Sequence, residues 1–138
     1  DVPFERSVED IKALLRKFKC EEILSHEAGD KITIAFKKER VPYVIEFPEI
    51  YEERKHEPVR LRMDISARVV YNRIKTALID VEIDTLSFIQ AMLRMVVLQS
   101  PQGIVTLGEV VEAQKDNIIR GQIEFNPMKI KALTEAKS

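Results

Sequence analysis

The chain has 138 residues, 45% hydrophobic and 33% charged, which is typical of one globular domain with a densely charged surface. The formal net charge of −1 argues against a generally cationic nucleic-acid coat protein, because nonspecific affinity for phosphate grows with the number of cations offered. The single cysteine, Cys20, excludes an intramolecular disulfide and favours a reducing compartment.

The first ten residues carry acids where a signal peptide has cations and an apolar run. No apolar stretch in the sequence reaches the length that a membrane-spanning helix requires. We therefore expect a cytoplasmic protein with no membrane partner.

Helical spacing of apolar residues predicts a first helix over residues 7–19. Its buried face is expected to carry Val8, Ile11, Leu14, Leu15 and Phe18. Ser7 is the predicted N-cap, and Asp10 lies near the positive end of the helix dipole.

The apolar period then changes from helical spacing to strict alternation, which is typical of half-buried strands. The pattern predicts a three-stranded antiparallel meander at about 22–27, 31–37 and 41–47, with turns at 28–30 and 38–40. Pro42 cannot donate a ladder hydrogen bond, so we expect the third strand to be an edge there.

The segment from Pro48 to Pro58 is polar and highly charged, and it is predicted to be the one long loop. A second helix is predicted from about Ser66 to Glu82. Its predicted buried stripe is Val70, Ile74, Ala77, Leu78 and Val81.

Thr85 is the predicted cap of a third helix, in which Leu86, Ile89, Leu93 and Val96 repeat at helical spacing. Residues 100–103 form a predicted turn. Residues 106–109 have the capping-box pattern and are expected to open a short helix that ends near Gln114.

These elements predict an α+β fold, with a small antiparallel meander of three to four strands and about four helices packed on it. We expect a single domain over residues 1–125. The tail, 126–138, is expected either to be disordered or to pack on a neighbouring subunit. A small sheet with a free edge favours a homo-oligomer.

Signatures of catalysis are missing from the sequence. It has no Gly-rich phosphate loop and no G-x-S-x-G motif. His26, His56 and Cys20 match no zinc-ligand spacing, and each is interpreted as an ordinary surface or core residue. The sequence thus predicts a non-enzymatic protein with no metal site and no cofactor.

The distribution of charge is uneven. Between Arg54 and Lys75 there are seven cations and two acids, so this segment carries +5 and the remainder of the chain −6. We predict a ligand-binding site at its polar residues, Arg60, Arg62, Arg68, Tyr71, Asn72 and Lys75, because guanidinium forks suit phosphate oxygens. The alternative is a solvated helix face that pairs with the acids of 49–53 and 80–84.

Several short motifs occur in a familiar order. The N-terminal S-V-E-D-I-x-x-L-L-x-K-F precedes R-V-P-Y-V-I-E-F-P; then come Arg68 followed by I-K-x-x-L-x-x-V-E, and finally T-L-G-E. Over residues 5–112 this order resembles a widespread family of small phage and prophage proteins of unestablished activity. Arg68 and Lys75 fall on basic positions of the family pattern, whereas its Trp is Ala67 here.

The resemblance implies a phage protein that acts in the host cytoplasm. Together with the basic segment and the missing catalytic motifs, it favours a protein that sequesters a small phosphate-bearing nucleotide signal of host defence. The alternative function is an accessory DNA-binding protein of phage replication or recombination, which would use the same cations against backbone phosphates.

Overall fold

The computed structural model describes residues 2–101 and 103–119. Its helices are α1 (Phe4–Lys17), α2 (Met63–Glu82), α3 (Phe88–Ala91), α4 (Leu107–Ala113) and α5 (Lys115–Ile119), with a 3₁₀ turn at Leu93–Met95. Its strands are β1 (Glu21–Ala28), β2 (Lys31–Lys38), β3 (Val41–Glu46), β4 (Tyr51–Arg54), β5 (Glu57–Leu61), β6 (Val97–Ser100) and β7 (Gly103–Thr106).

The chain divides into two compact units, residues 1–108 and 109–138. In the second unit the described residues form the end of α4 and all of α5. The predicted domain 1–125 and the predicted tail 126–138 extend outside the described residues, and both stay predictions.

Strands β1, β2 and β3 form the antiparallel meander that the alternating pattern predicted. Ile34 lies opposite Ile45 and Phe36 opposite Tyr43, so the alternate side chains of two strands share one buried face. Pro42 lies on β3 at the edge of this sheet, as its missing N–H requires. The α+β prediction is confirmed.

Helices α1 and α2 contribute to the same core as the buried face of the meander. The core residues of the two helices are Val8, Ile11, Leu15, Ala67, Val70, Ile74 and Leu78. Within the predicted stripe of α2, Ala77 and Val81 are partly buried against this core. The helical periodicity therefore identified the buried faces of both helices correctly.

The predicted starts of α1 and α2 are wrong. Helix α1 begins at Phe4, with Pro3 at its N-cap position, and Ser7 is a fully buried residue inside the helix. The ring of Phe4 packs edge-on against that of Phe47, and this contact favours one more helical turn than the capping pattern suggested. Helix α2 likewise begins at Met63, and the buried Ser66 hydroxyl donates a hydrogen bond to the carbonyl of Pro48.

The predicted loop from Pro48 to Pro58 is wrong as well, because β4 and β5 form a hairpin there. The two strands align opposite charges, with Glu52 opposite Arg60 and Arg54 opposite Glu57. Most side chains of the hairpin are exposed on both faces. Without a buried face, no apolar alternation marks these strands in the sequence.

The third helix is displaced from its prediction. Its N-cap is Ser87, which forms a capping box with Gln90, and Thr85 lies outside the helix. The buried side chains of this segment are Phe88, Met92 and Met95, whereas Leu86, Ile89 and Leu93 are exposed. Both sets of residues have helical spacing. The set that contains Phe88 is the buried one, because the Phe88 ring packs against other aromatic rings of the core.

Strands β6 and β7 form a hairpin around the predicted turn at 100–103, whose Gln102 lies outside the described residues. Val96, just before β6, bridges to Tyr43 of the meander. Helix α4 begins at Leu107, one residue after the predicted cap. This arrangement holds α3 and the 3₁₀ turn beside α2.

Candidate functional site

Arg62, one of the predicted ligand-binding residues, is bound by two carboxylates. Its guanidinium donates to Asp64 at 2.8 and 3.0 Å and to Glu52 at 2.9 Å. Its side chain is only 17% exposed. The arginine joins the β4–β5 hairpin to the start of α2, so it holds the fold at this point and offers little to a ligand.

The Arg62 contacts shift the pKa values of both carboxyls. Hydrogen bonds from Arg62 lower the pKa of Asp64 from its ordinary 3.8 to about 2, and they lower the pKa of Glu52 as well. A carboxyl whose pKa is lower in the folded chain stabilises the fold above its unfolded pKa. For Asp64 that contribution is lost as the pH falls from about 4 to about 2.

The variant Arg62→Ala should therefore have a lower melting temperature than the wild type at neutral pH, with a gap that narrows as the pH falls from about 4 to about 2. Thermal unfolding followed by circular dichroism across this range measures the gap. Arg16→Ala, which removes an exposed arginine of α1, is the matched control. A gap that stays constant down to about pH 2 would contradict the role given to Arg62.

Arg68 is also occupied. Its guanidinium binds Asp10 of α1 at 3.1 Å and lies 4.4 Å from the ring centre of Tyr71. The ammonium of Lys75, whose side chain is exposed, lies 5.9 Å from the centre of the same ring. These contacts are worth about 0.5–1 kcal/mol each where they are exposed, and they favour a structural use of this part of α2.

The predicted site residues therefore divide among different surroundings. Arg62 and the exposed Arg60 belong to the hairpin, where Arg60 lies opposite Glu52. Arg68, Tyr71 and Lys75 form one contact group on α2. Asn72, which directly follows Tyr71 on the same helix, lines a groove beside α3. The alternative named the acids of 49–53 and 80–84 as partners; Arg62 does pair with Glu52, whereas Arg68 pairs with Asp10, which lies outside both ranges.

The groove lies between α2 and the segment formed by α3 and the 3₁₀ turn, and its volume is about 530 Å³. It is shallow and widely open to solvent. Its lining residues are Asn72, Arg73, Thr76, Ala77, Ala91, Arg94 and Met95. The four polar side chains are exposed, while Ala77, Ala91 and Met95 are half-buried or buried and form an apolar floor.

Arg73 and Arg94 differ from Arg62 and Arg68 in one decisive respect. Among the described residues, neither has a carboxylate within salt-bridge distance. Two guanidiniums on one groove offer up to ten N–H donors to an anion. The groove thus combines an apolar floor with positive charge that no carboxylate in the described part of the chain pairs with.

Gly108 helps to position Arg94. A Cβ at Gly108 would lie 3.0 Å from the backbone oxygen and 3.2 Å from the Cβ of Arg94. The backbone N–H of Leu107 also donates to the carbonyl of Val96 at 2.9 Å. The missing side chain allows the start of α4 to lie directly against the residue that carries the second guanidinium.

The ligand-binding residues predicted from the sequence include neither Arg73 nor Arg94. Arg73 was counted among the cations of the basic segment, but Arg94 lies 21 positions further along the chain, outside it. No local pattern indicates that the two residues share a groove, because that depends on which face of α3 is buried. The sequence signal that could have found Arg94 is the position of Phe88 in the core, because it fixes which face of α3 is buried.

Other kinds of site receive no support from the described residues. They contain no group of three or more His, Cys, Asp or Glu side chains that could hold a metal ion. None of their helices combines the length and apolarity needed to cross a membrane. Cys20 is buried, and its burial raises the pKa of the thiol to about 11, so it behaves as the predicted core residue.

No protein-family model, curated protein or solved structure matches the chain. The resemblance to phage proteins therefore stays a prediction from the sequence motifs, and function has to be argued from the groove and its two arginines.

Proposed function

We propose that this protein is a non-enzymatic binding module that captures a small phosphate-bearing ligand of the nucleotide type in the groove between α2 and α3. Arg73 and Arg94 hold the phosphate oxygens, and Asn72 and Thr76 supply neutral hydrogen bonds. The observation that carries the proposal is that two arginines without carboxylate partners in the described residues line one groove.

The chemistry of the groove suits such a ligand. Guanidinium groups bind phosphate through paired N–H donors, and hydrogen bonds to charged groups contribute about 1.5–3 kcal/mol each. The floor of Ala77, Ala91 and Met95 offers an apolar surface to a base or ribose. The volume of about 530 Å³ falls in the usual range of small-molecule sites.

The composition of the lining favours capture over turnover. It consists of asparagine, arginine, threonine, alanine and methionine side chains. General base or nucleophilic catalysis commonly uses a histidine, a carboxylate or an activated thiol or hydroxyl. The one lining hydroxyl, on Thr76, has no histidine or carboxylate beside it among these residues to accept its proton.

A capture-only protein of this kind would act by sequestration. The phage setting comes from the sequence resemblance. The host-defence signal is inferred from that setting together with the basic segment and the missing catalytic motifs, and the groove is the place that we propose for the nucleotide. The DNA-binding alternative has weaker support, because Arg54, Arg62 and Arg68 already pair with acids. A long polyanion needs many free cations along its path.

A capture assay tests the proposal. The protein is mixed with a pool of cyclic nucleotides, ADP-ribose and short oligonucleotides, desalted and heated, and the released material is weighed by mass spectrometry. We expect one intact nucleotide for each site.

Three other outcomes would overturn the proposal. Chemical conversion of the nucleotide during incubation would reveal an enzyme. Retention of the oligonucleotide, with a log–log salt slope steeper than about −4, would favour DNA binding. Retention of nothing from the pool would remove the support for capture.

A further inference from the structure

The solvent-facing side of α2 carries a stripe that the described part of the chain leaves uncovered. Along it, Ile65 is 39% exposed and Ile79 49% exposed, and Ile83, directly after the helix, is 64% exposed. Asn72 and Thr76 lie between them, so the spacing along the stripe is seven, four, three and four residues. This is the spacing of a seam between two packed helices.

Single exposed aliphatic residues are common on protein surfaces, but several on one helical stripe mark a contact surface. The core side of α2 is already filled by residues such as Val70, Ile74 and Leu78. The stripe lies on the other side of the helix, and none of the residues that the structure describes covers it. The distribution of charge along the helix indicates which partner.

Helix α2 begins with Asp64, which is paired with Arg62, and beyond this first turn its charges are segregated. The cations Arg68, Arg73 and Lys75 come first, and the acids Asp80 and Glu82 follow. Lys75 and Glu82 are seven residues apart, so they lie on the same flank of the stripe, two turns from each other. An antiparallel copy of the same helix would bring each Lys75 near the partner's Glu82, whereas a parallel copy would oppose like charges.

We propose that the C-terminal part of the stripe, from Lys75 to Ile83, is the contact surface of a symmetric dimer in which α2 packs antiparallel against α2 of a second copy. The pairing covers Ile79 and Ile83 and is self-complementary in charge, as a two-fold interface requires. It does not depend on the proposed ligand. In this register Thr76, which lines the groove, also faces the partner helix, whereas Asn72 lies beyond the end of that helix.

Analytical ultracentrifugation without ligand, from low to high micromolar protein, tests the dimer. We expect the wild type to reach twice the monomer mass of 16.0 kDa. Lys75→Glu and Glu82→Lys should each raise the dimer dissociation constant about tenfold or more, because each places like charges together. The double variant, Lys75→Glu with Glu82→Lys, should restore the wild-type value.

Two further variants keep the test decisive, because Glu82 also binds Lys17 within one copy at 2.6 Å and its replacement alters that contact. Ile79 has an apolar side chain and takes part in no ion pair, so Ile79→Lys changes only the proposed interface, and it should abolish the dimer. Leu24→Lys, at an exposed aliphatic residue of β1, should leave the dimer unchanged. A wild type that stays monomeric, or a dimer that survives Ile79→Lys and both charge reversals, would overturn the proposal.

Discussion

Replacing Arg73 and Arg94 together by alanine is expected to lower the affinity for the captured nucleotide about 100-fold or more. Each arginine contributes charge-assisted hydrogen bonds of about 1.5–3 kcal/mol, and every 1.4 kcal/mol corresponds to a factor of ten in affinity. Both side chains are exposed, so the fold should be unaffected. Isothermal titration calorimetry gives the two dissociation constants, and thermal unfolding checks stability.

Two matched double variants accompany this measurement, each removing two positive charges. Arg6→Ala with Arg16→Ala lies on the exposed side of α1 and should leave the affinity within about threefold of the wild type. Arg60→Ala with Arg68→Ala removes two cations that the sequence alone favoured. If this second pair weakens binding more than the groove pair does, the ligand lies on the sequence-predicted patch and the groove assignment is wrong.

Phe88→Ala is expected to destabilise the protein by about 3–5 kcal/mol, the usual cost of removing a buried aromatic ring. The Phe88 ring lies 5.4 Å from that of Tyr43 and 6.2 Å from that of Phe36, in both cases edge to face. The ammonium of Lys38 lies 5.3 Å from its centre. The substitution leaves a cavity at the point where α3 is anchored to the meander.

Urea unfolding of Phe88→Ala, Phe88→Leu and Ile89→Ala measures this effect. The leucine variant retains most of the apolar volume and should lose less stability than the alanine variant. Ile89 is the exposed neighbour on the same helix, and its replacement should change stability by no more than about 0.5 kcal/mol. Equal losses at Phe88 and Ile89 would mean that the buried face of α3 has been assigned incorrectly.

The sequence predicted those parts of the fold in which a buried face imposes a regular period. Ile32, Ile34 and Phe36 alternate with more polar residues, because one side of β2 meets the core and the other does not. Val70, Ile74 and Leu78 repeat at helical spacing for the same reason. These two patterns placed the meander and the long second helix within a few residues.

The predictions from the sequence were wrong where a local pattern fits two structures equally well or where no pattern is present. Leu86, Ile89 and Leu93 have the same helical spacing as Phe88, Met92 and Met95, and only the tertiary contacts of Phe88 decide between them. The β4–β5 hairpin has no buried face, so its strands resemble a charged loop. Both failures arise because the deciding interactions join residues far apart in the chain.

The candidate site shows the same limit. The concentration of cations between Arg54 and Lys75 was visible in the sequence, and Asn72 was among the predicted ligand-binding residues. The sequence does not show which arginines form salt bridges, because the partner carboxylates lie elsewhere in the chain and are brought close only by folding. Asp10 reaches Arg68 across 58 positions of sequence, and Glu52 reaches Arg62 across the hairpin.

The most direct test of the groove is an NMR titration of ¹⁵N-labelled protein with pyrophosphate, which carries two phosphates and no base. The side-chain Nε–H resonances of arginine are followed and assigned from the single alanine variants. We predict that the resonances of Arg73 and Arg94 shift together and saturate with one dissociation constant. Shifts confined to Arg60 and Arg68, or no saturable shift at any arginine, would contradict a phosphate-binding groove between α2 and α3.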